Sequence, residues 1–214
     1  MKYIAGTMLV VLLSACSTTK QIATPQSYDK MIEHHRMEYK QEFVKGTDSP
    51  LQEQDLKHMN FYPAEPIYNC DCQFERSVDA EPFDIQTYSG MTKEYIPYGT
   101  ATCSIGGSTQ VLTLYQSIRL MAMPMYRDYL FLPFMDETNG EGTYGGGRYI
   151  DLKVGDIAAN GALNIDFNKC YNPYCAYSDG YNCPVPPPEN HLAIPVKAGE
   201  KMYTGPKKKR AATH

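Results

Sequence analysis

The chain reads as a mainly β domain: an antiparallel barrel-like or sandwich sheet of about seven to eight strands, preceded by one or two N-terminal helices. Three observations carry this. Beyond Pro63, short runs rich in β-branched and aromatic residues alternate with Gly, Asn, Asp and Pro clusters, among them Gly106-Gly107-Ser108 and Asn139-Gly140. No helical period intervenes between those runs, which argues against parallel strands joined by crossover helices. Apolar spacing of three to four residues is confined to the segment before Gly46. A closed or nearly closed sheet would also remove the edge liability of so many short strands.

The first fifteen residues have the layout of a lipoprotein signal peptide. Lys2 is the charged region, Ile4 to Leu13 the apolar region, and Cys16 follows Ser14 and Ala15. The run is shorter than the ~20 apolar residues needed to span a bilayer. Cys16 is therefore the expected lipidation site, which would hold the mature protein on a membrane of the bacterial cell envelope. Each buried CH₂ of an acyl chain contributes about 0.8 kcal/mol. Ser17, rather than Asp, after the cysteine favours the outer membrane of a two-membrane cell. Residues 16–26 are a polar tether.

A helix is expected over 28–45, where Ile32, His35, Tyr39 and Phe43 form one stripe and Gly46 supplies the stop. Ser49-Pro50-Leu51-Gln52 opens a second, short helix, with Ser49 as cap, Pro50 in the first turn and Gln52 completing a capping box. Strands are expected over 67–75, 82–89, 95–105, 110–118, 129–135, 148–154 and 162–167, with a further run at 192–196. No linker or repeat divides the region, so 27–200 is a single domain, and 201–214 is a basic disordered tail.

The net charge of −4 becomes −5 once Lys2 is removed with the signal. Such a globule is no nucleic-acid binder, and Lys207 to Arg210 alone does not make it one. Tyrosine occurs 18 times and tryptophan not at all. Tyrosine suits half-buried strands and wet pockets, while the missing indoles count against a carbohydrate platform.

Acylation of Cys16 leaves six cysteines, which in an oxidising compartment read first as disulfides. Cys70 and Cys72 sit two apart in a strand, point to one face and do not bond to each other. Cys175 and Cys183 bracket a turn-rich stretch and make the natural local pair, closing a loop worth roughly 2–3 kcal/mol. Metal ligation and free thiols stay open as alternatives, although the spacing is not that of a zinc ribbon.

Gly140 to Gly145 matches G-x-G-x-x-G, but the stretch from Gly146 to Ile150 reads as a hinge into a strand and not the helix a pyrophosphate needs. Adjacent helical residues such as His34 and His35 point about 100° apart and do not share an ion. No cofactor or metal is expected. The densest chemistry lies at 147–190. There Arg148, Tyr149, Asp166, Asn168, Tyr171, Asn172, Tyr177, Glu189 and Asn190 read as a pocket wall or as the side chains by which a long loop satisfies its own backbone. Two functions are open: a binding or assembly module using the 147–190 face for a small molecule or an envelope protein, or a small hydrolase. In the second, Asp166 and Glu189 would be the acid–base pair and Arg148 the anchor for an anionic or carbonyl group.

Asp48-Ser49-Pro50-Leu51, Asn60-Phe61-Tyr62-Pro63, Gly147 to Asp151, Asp166-Phe167-Asn168, Tyr171 to Tyr177 and Cys183 to Asn190 together resemble the domain of unknown function 1684 family over about residues 30–200. Cys175 and Cys183 match family positions. The resemblance implies an exported or lipid-anchored bacterial domain, and carries no activity, substrate or catalytic residue with it.

Overall fold

The computed structural model describes residues 25–209; Cys16, the signal segment and most of the tether lie outside them. Helix α1 (Pro25–Lys45) starts three residues before the expected Tyr28 and buries Tyr28, Ile32 and Phe43. The second expected helix is a 3-10 turn displaced to Glu53–His58. Asp55 closes it by accepting the Gln52 N–H at 3.0 Å, while the Ser49 hydroxyl instead accepts the Leu51 N–H.

The core of the fold is one antiparallel sheet built from β1 (Asn69–Arg76), β2 (Phe83–Gln86), β3 (Thr92–Ile105), β4 (Ser108–Ser117), β5 (Tyr129–Phe134), β6 (Arg148–Lys153) and β7 (Ala162–Asp166). The strands run in the order β6-β5-β4-β3-β1-β7, with β2 added to β3. The sheet curls into a half-barrel: β6 and β7 remain its two edges and do not pair with each other. The expected barrel-like antiparallel sheet is therefore present, open along one seam. A four-residue α2 (Ile118–Met121) joins β4 to β5.

Strand alternation sets the two faces. Cys70, Cys72 and Phe74 of β1, Leu112 and Leu114 of β4, Leu130, Leu132 and Phe134 of β5, and Ile150 and Leu152 of β6 fill the main core. The opposite face carries a smaller, aromatic cluster of Tyr95, Tyr115, Phe131 and Tyr149 beside Ile85. Tyr95 reaches that face although Ala101 and Cys103 of the same strand point inward, because the register slips between Pro97 and Gly99. A Cβ at Gly99 would lie 2.4 Å from the Glu75 carbonyl oxygen, so only glycine fits the bulge.

Cys72 and Cys103 are direct partners in the β1–β3 ladder and form a disulfide, with Cα atoms 4.4 Å apart. Cys175 and Cys183 form the expected local disulfide. Cys70 and Cys170 are buried thiols whose pKa values burial pushes up to about 11.

Two segments depart from expectation. Residues 192–196 form no strand; they run as a strap whose Leu192 and Val196 are buried, with the Leu192 N–H donating to the Met135 carbonyl. The chain from 201 to 209 is no free tail. Lys201, Met202 and Thr204 donate backbone N–H groups to Asn60, Gly142 and His58, and β9 (Lys208–Lys209) pairs in parallel with β8 (Ser178–Asp179). Its basic residues find carboxylates, Lys207 to Asp179 at 2.7 Å and Lys208 to Asp55 at 2.9 Å.

Candidate functional site

Most of the polar residues between 147 and 190 hold the fold together. Arg148 faces the core of the half-barrel and is fully buried, paired with Asp136 at 2.7 Å. Its Nη1 and Nη2 also donate to the carbonyls of Val196, Ala198 and Glu200, so it clamps the C-terminal strap, while Nε–H is buried without an acceptor. Asp136 in turn accepts from Thr138 and the Val196 N–H. Full burial closes the guanidinium to an anion from solvent. Gly147, just before it, takes φ +83, and a Cβ there would meet the Phe134 carbonyl oxygen at 2.6 Å. The glycine-rich stretch before β6 is a turn network in which Asn139 donates to Thr143 and Tyr144.

Asn190 has a specific architectural task. β4 and β5 pair only at Tyr115 and Phe131. Beyond that point, the Asn190 amide exchanges two 2.8 Å bonds with the backbone of Thr113 and gives a third to the Pro133 carbonyl, also at 2.8 Å. One side chain thereby replaces the ladder where the strands splay. Asn168 similarly ties Glu65, Asp166 and Tyr28 together.

Behind α1 lies a third network. Glu200 is fully buried and accepts from the Tyr177 hydroxyl at 2.6 Å and the Asn172 N–H at 2.9 Å, with the Tyr39 hydroxyl at 3.4 Å. Burial raises its carboxyl pKa to about 7 against the pull of those donors.

The two expected acid–base residues are not assembled. Asp166 is buried, its Oδ1 accepting from Tyr28 and from both amide groups of Asn168. Glu189 is exposed and accepts the Tyr115 hydroxyl at 2.7 Å. Asp166 borders a large cleft at the seam of the sheet, and Glu189 does not.

That cleft, of about 1040 Å³, opens between α1, the segment 171–184 and the two edge strands β6 and β7. It lies where the half-barrel fails to close. Asp151 of β6 is the most distinctive group in its wall. Its Oδ1 accepts the Tyr129 and Tyr171 hydroxyls, both at 2.7 Å, so Oδ2 is left by the tyrosines for another donor. Asp151 stays exposed to the cleft, yet the walls around it strip enough water to raise its pKa despite the two phenols. His35, half-buried on α1, is shifted downward by burial and by the nearby Lys169 charge.

Of the expected pocket residues, the cleft gathers Tyr149, Asp166 and Tyr171; Arg148, Asn168, Asn172, Tyr177 and Asn190 lie buried in the supporting networks. Sequence reasoning misses Asp151, Tyr129, Glu200 and Asp136. For Asp151 a signal exists: it is the polar residue of the Tyr149-Ile150-Asp151-Leu152 alternation, placed by period two opposite the core-facing Ile150 and Leu152. Among the described residues, no cluster of three or more His, Cys, Asp or Glu side chains is arranged to hold a metal ion.

Comparison with known proteins places this architecture. The solution NMR structure of an uncharacterized protein of Haloarcula marismortui superposes with a TM-score of 0.63 at 27% identity, covering 82% of this chain and 95% of that one. No curated protein matches the sequence. The family described as "Protein of unknown function (DUF1684)" matches residues 54–201, from the 3-10 turn through the buried Glu200. With more than half its length inside that match, and the half-barrel and its polar clamps within it, the chain belongs to the DUF1684 family.

Proposed function

We propose that this chain is a membrane-anchored envelope lipoprotein, acylated at Cys16, whose domain is a binding module that takes a small ligand in the cleft at the seam of the half-barrel. The cleft carries the reading: a pocket of about 1040 Å³ against an edge strand, walled by aromatic rings around a carboxylate with one oxygen to spare. A hydrolytic reading has no comparable support, since Asp166 is buried and tied through Oδ1 to Tyr28 and Asn168, and Glu189 does not border the cleft. For the anchor, support comes from the signal pattern ending at Cys16; no helix among the described residues is long and apolar enough to cross a membrane.

Two measurements test the two halves. Cys16→Ala protein should move from the membrane fraction to the soluble fraction, whereas the parent should need mild detergent; retention of the variant would point to a protein partner or an uncleaved anchor. For the module, ligand-observed NMR with full-length protein in neutral detergent should find fragments that bind. Asn182→Trp, which fills the cleft from its exposed rim, should abolish their signals. Binding indifferent to that variant, or no binding by fragments of any charge, would remove the cleft reading.

A further inference from the structure

Resting on that reading of the cleft, we infer that its ligand is an organic ammonium cation with an apolar body, held between a continuous aromatic wall and a rim of carboxylates. Six rings lining the cleft touch in sequence. Tyr149 meets Tyr171 at 6.0 Å between centroids, Tyr171 meets Tyr39 at 5.8 Å, and Tyr39 meets Phe43 at 5.7 Å. Phe43 then meets Tyr174, and Tyr174 meets Tyr181, each at 5.1 Å. All six border the same space. Aromatic faces carry negative quadrupole potential and attract alkylammonium groups, most strongly where water is thinned.

The cations of the described residues find their rings elsewhere. Among the described residues, Arg36 and Lys40 lie over Phe61, Lys201 over Tyr62, Arg76 over Tyr98 and Arg148 over Phe134. None of these lies over Tyr149, Tyr171, Tyr39, Phe43 or Tyr174.

The charge of the lining agrees. Glu38, Glu42, Asp151, Asp156 and Asp166 face two ammonium groups, Lys93 and Lys169, and burial favours the neutral form of His35. Several of these carboxylates already have partners: Glu38 lies 3.7 Å from His34, Asp156 accepts the Lys153 N–H, and Asp166 holds Tyr28 and Asn168. They still contribute a negative potential to the space. Asp151 is the one placed to meet a cation directly, because its two phenols converge on one oxygen and orient the other. An anionic ligand would meet excess negative charge, and a neutral polyol would gain little from the aromatic wall.

Isothermal titration of the full-length protein in neutral detergent, with choline against its uncharged isostere 3,3-dimethyl-1-butanol, tests this. Choline should bind about tenfold more tightly than the isostere, since only the charge differs. Asp151→Asn should weaken choline by roughly five- to tenfold and leave the isostere unmoved. Glu42→Gln, at an exposed position on the rim, should weaken choline by about twofold and serves if the Asp151 variant misfolds. Equal affinity for the two probes, or a preference for the neutral one, would overturn the inference. If neither probe binds while another fragment class does, the cation assignment falls and the cleft reading stands. If no fragment binds at all, both fall.

Discussion

Arg148 and Asp151 stand three residues apart on β6 and face opposite sides of one sheet. Arg148 points into the half-barrel, where Asp136 and three carbonyls take its Nη donors in a site without solvent. Asp151 points into the cleft, where two phenols occupy one of its oxygens. Both are charged residues embedded in hydrogen bonds, and in sequence Arg148 is the more conspicuous. The difference is direction: a charge facing a closed core can be met only by the fold, whereas one facing a cleft can remain available to a ligand.

Breaking the inward clamp should have the largest effect. Arg148→Met leaves Asp136 buried without its cation and should cost about 3–5 kcal/mol in urea unfolding. A loss below about 1 kcal/mol would mean that water reaches the clamp and that the two sides of β6 differ less than their burial implies. Asn190→Ala removes the single amide that bridges the splayed β4 and β5, and should cost about 2–3 kcal/mol. Amide exchange should then quicken first at Thr113. Protection unchanged there would show that the strands hold without the bridge.

Glu200 sharpens the comparison from behind the cleft. Its carboxyl titrates near 4.5 in the unfolded chain and at about 7 in the fold, so the folded state binds the proton more tightly. Its contribution is complete below pH 4.5, declines as pH rises toward about 7, and is absent above. Thermal unfolding of the parent should show this fall across that window, and Glu200→Gln should flatten it. An identical profile in the variant would place the titration elsewhere.

The smallest effect on stability is expected at Asp151. Asp151→Asn keeps an acceptor for the Tyr129 and Tyr171 hydroxyls, so unfolding free energy should change by less than about 1 kcal/mol. Should it cost as much as Arg148→Met, Asp151 would be another structural clamp and not a cleft group.

The sequence by itself determined the class of the fold. Period-two alternation and turn chemistry are local properties, so the strands of the β-region from Asn69 to Asp166 could be located to within a few residues, and the stripe on α1 announced which face it buries. The Cys175–Cys183 bridge was legible for the same reason, both ends lying on one short loop. The Cys72–Cys103 bridge was not, because its two cysteines meet only through the β1–β3 register. Only the tertiary structure decided that the curled sheet stops short of closure, that residues 201–209 dock against the domain, and that Arg148 faces inward to a partner twelve residues away while Asp151 meets Tyr129 and Tyr171 from two other segments. Curl, seam and cleft arise from contacts between distant segments, and whether a polar side chain there is consumed or available depends on what those contacts bring against it.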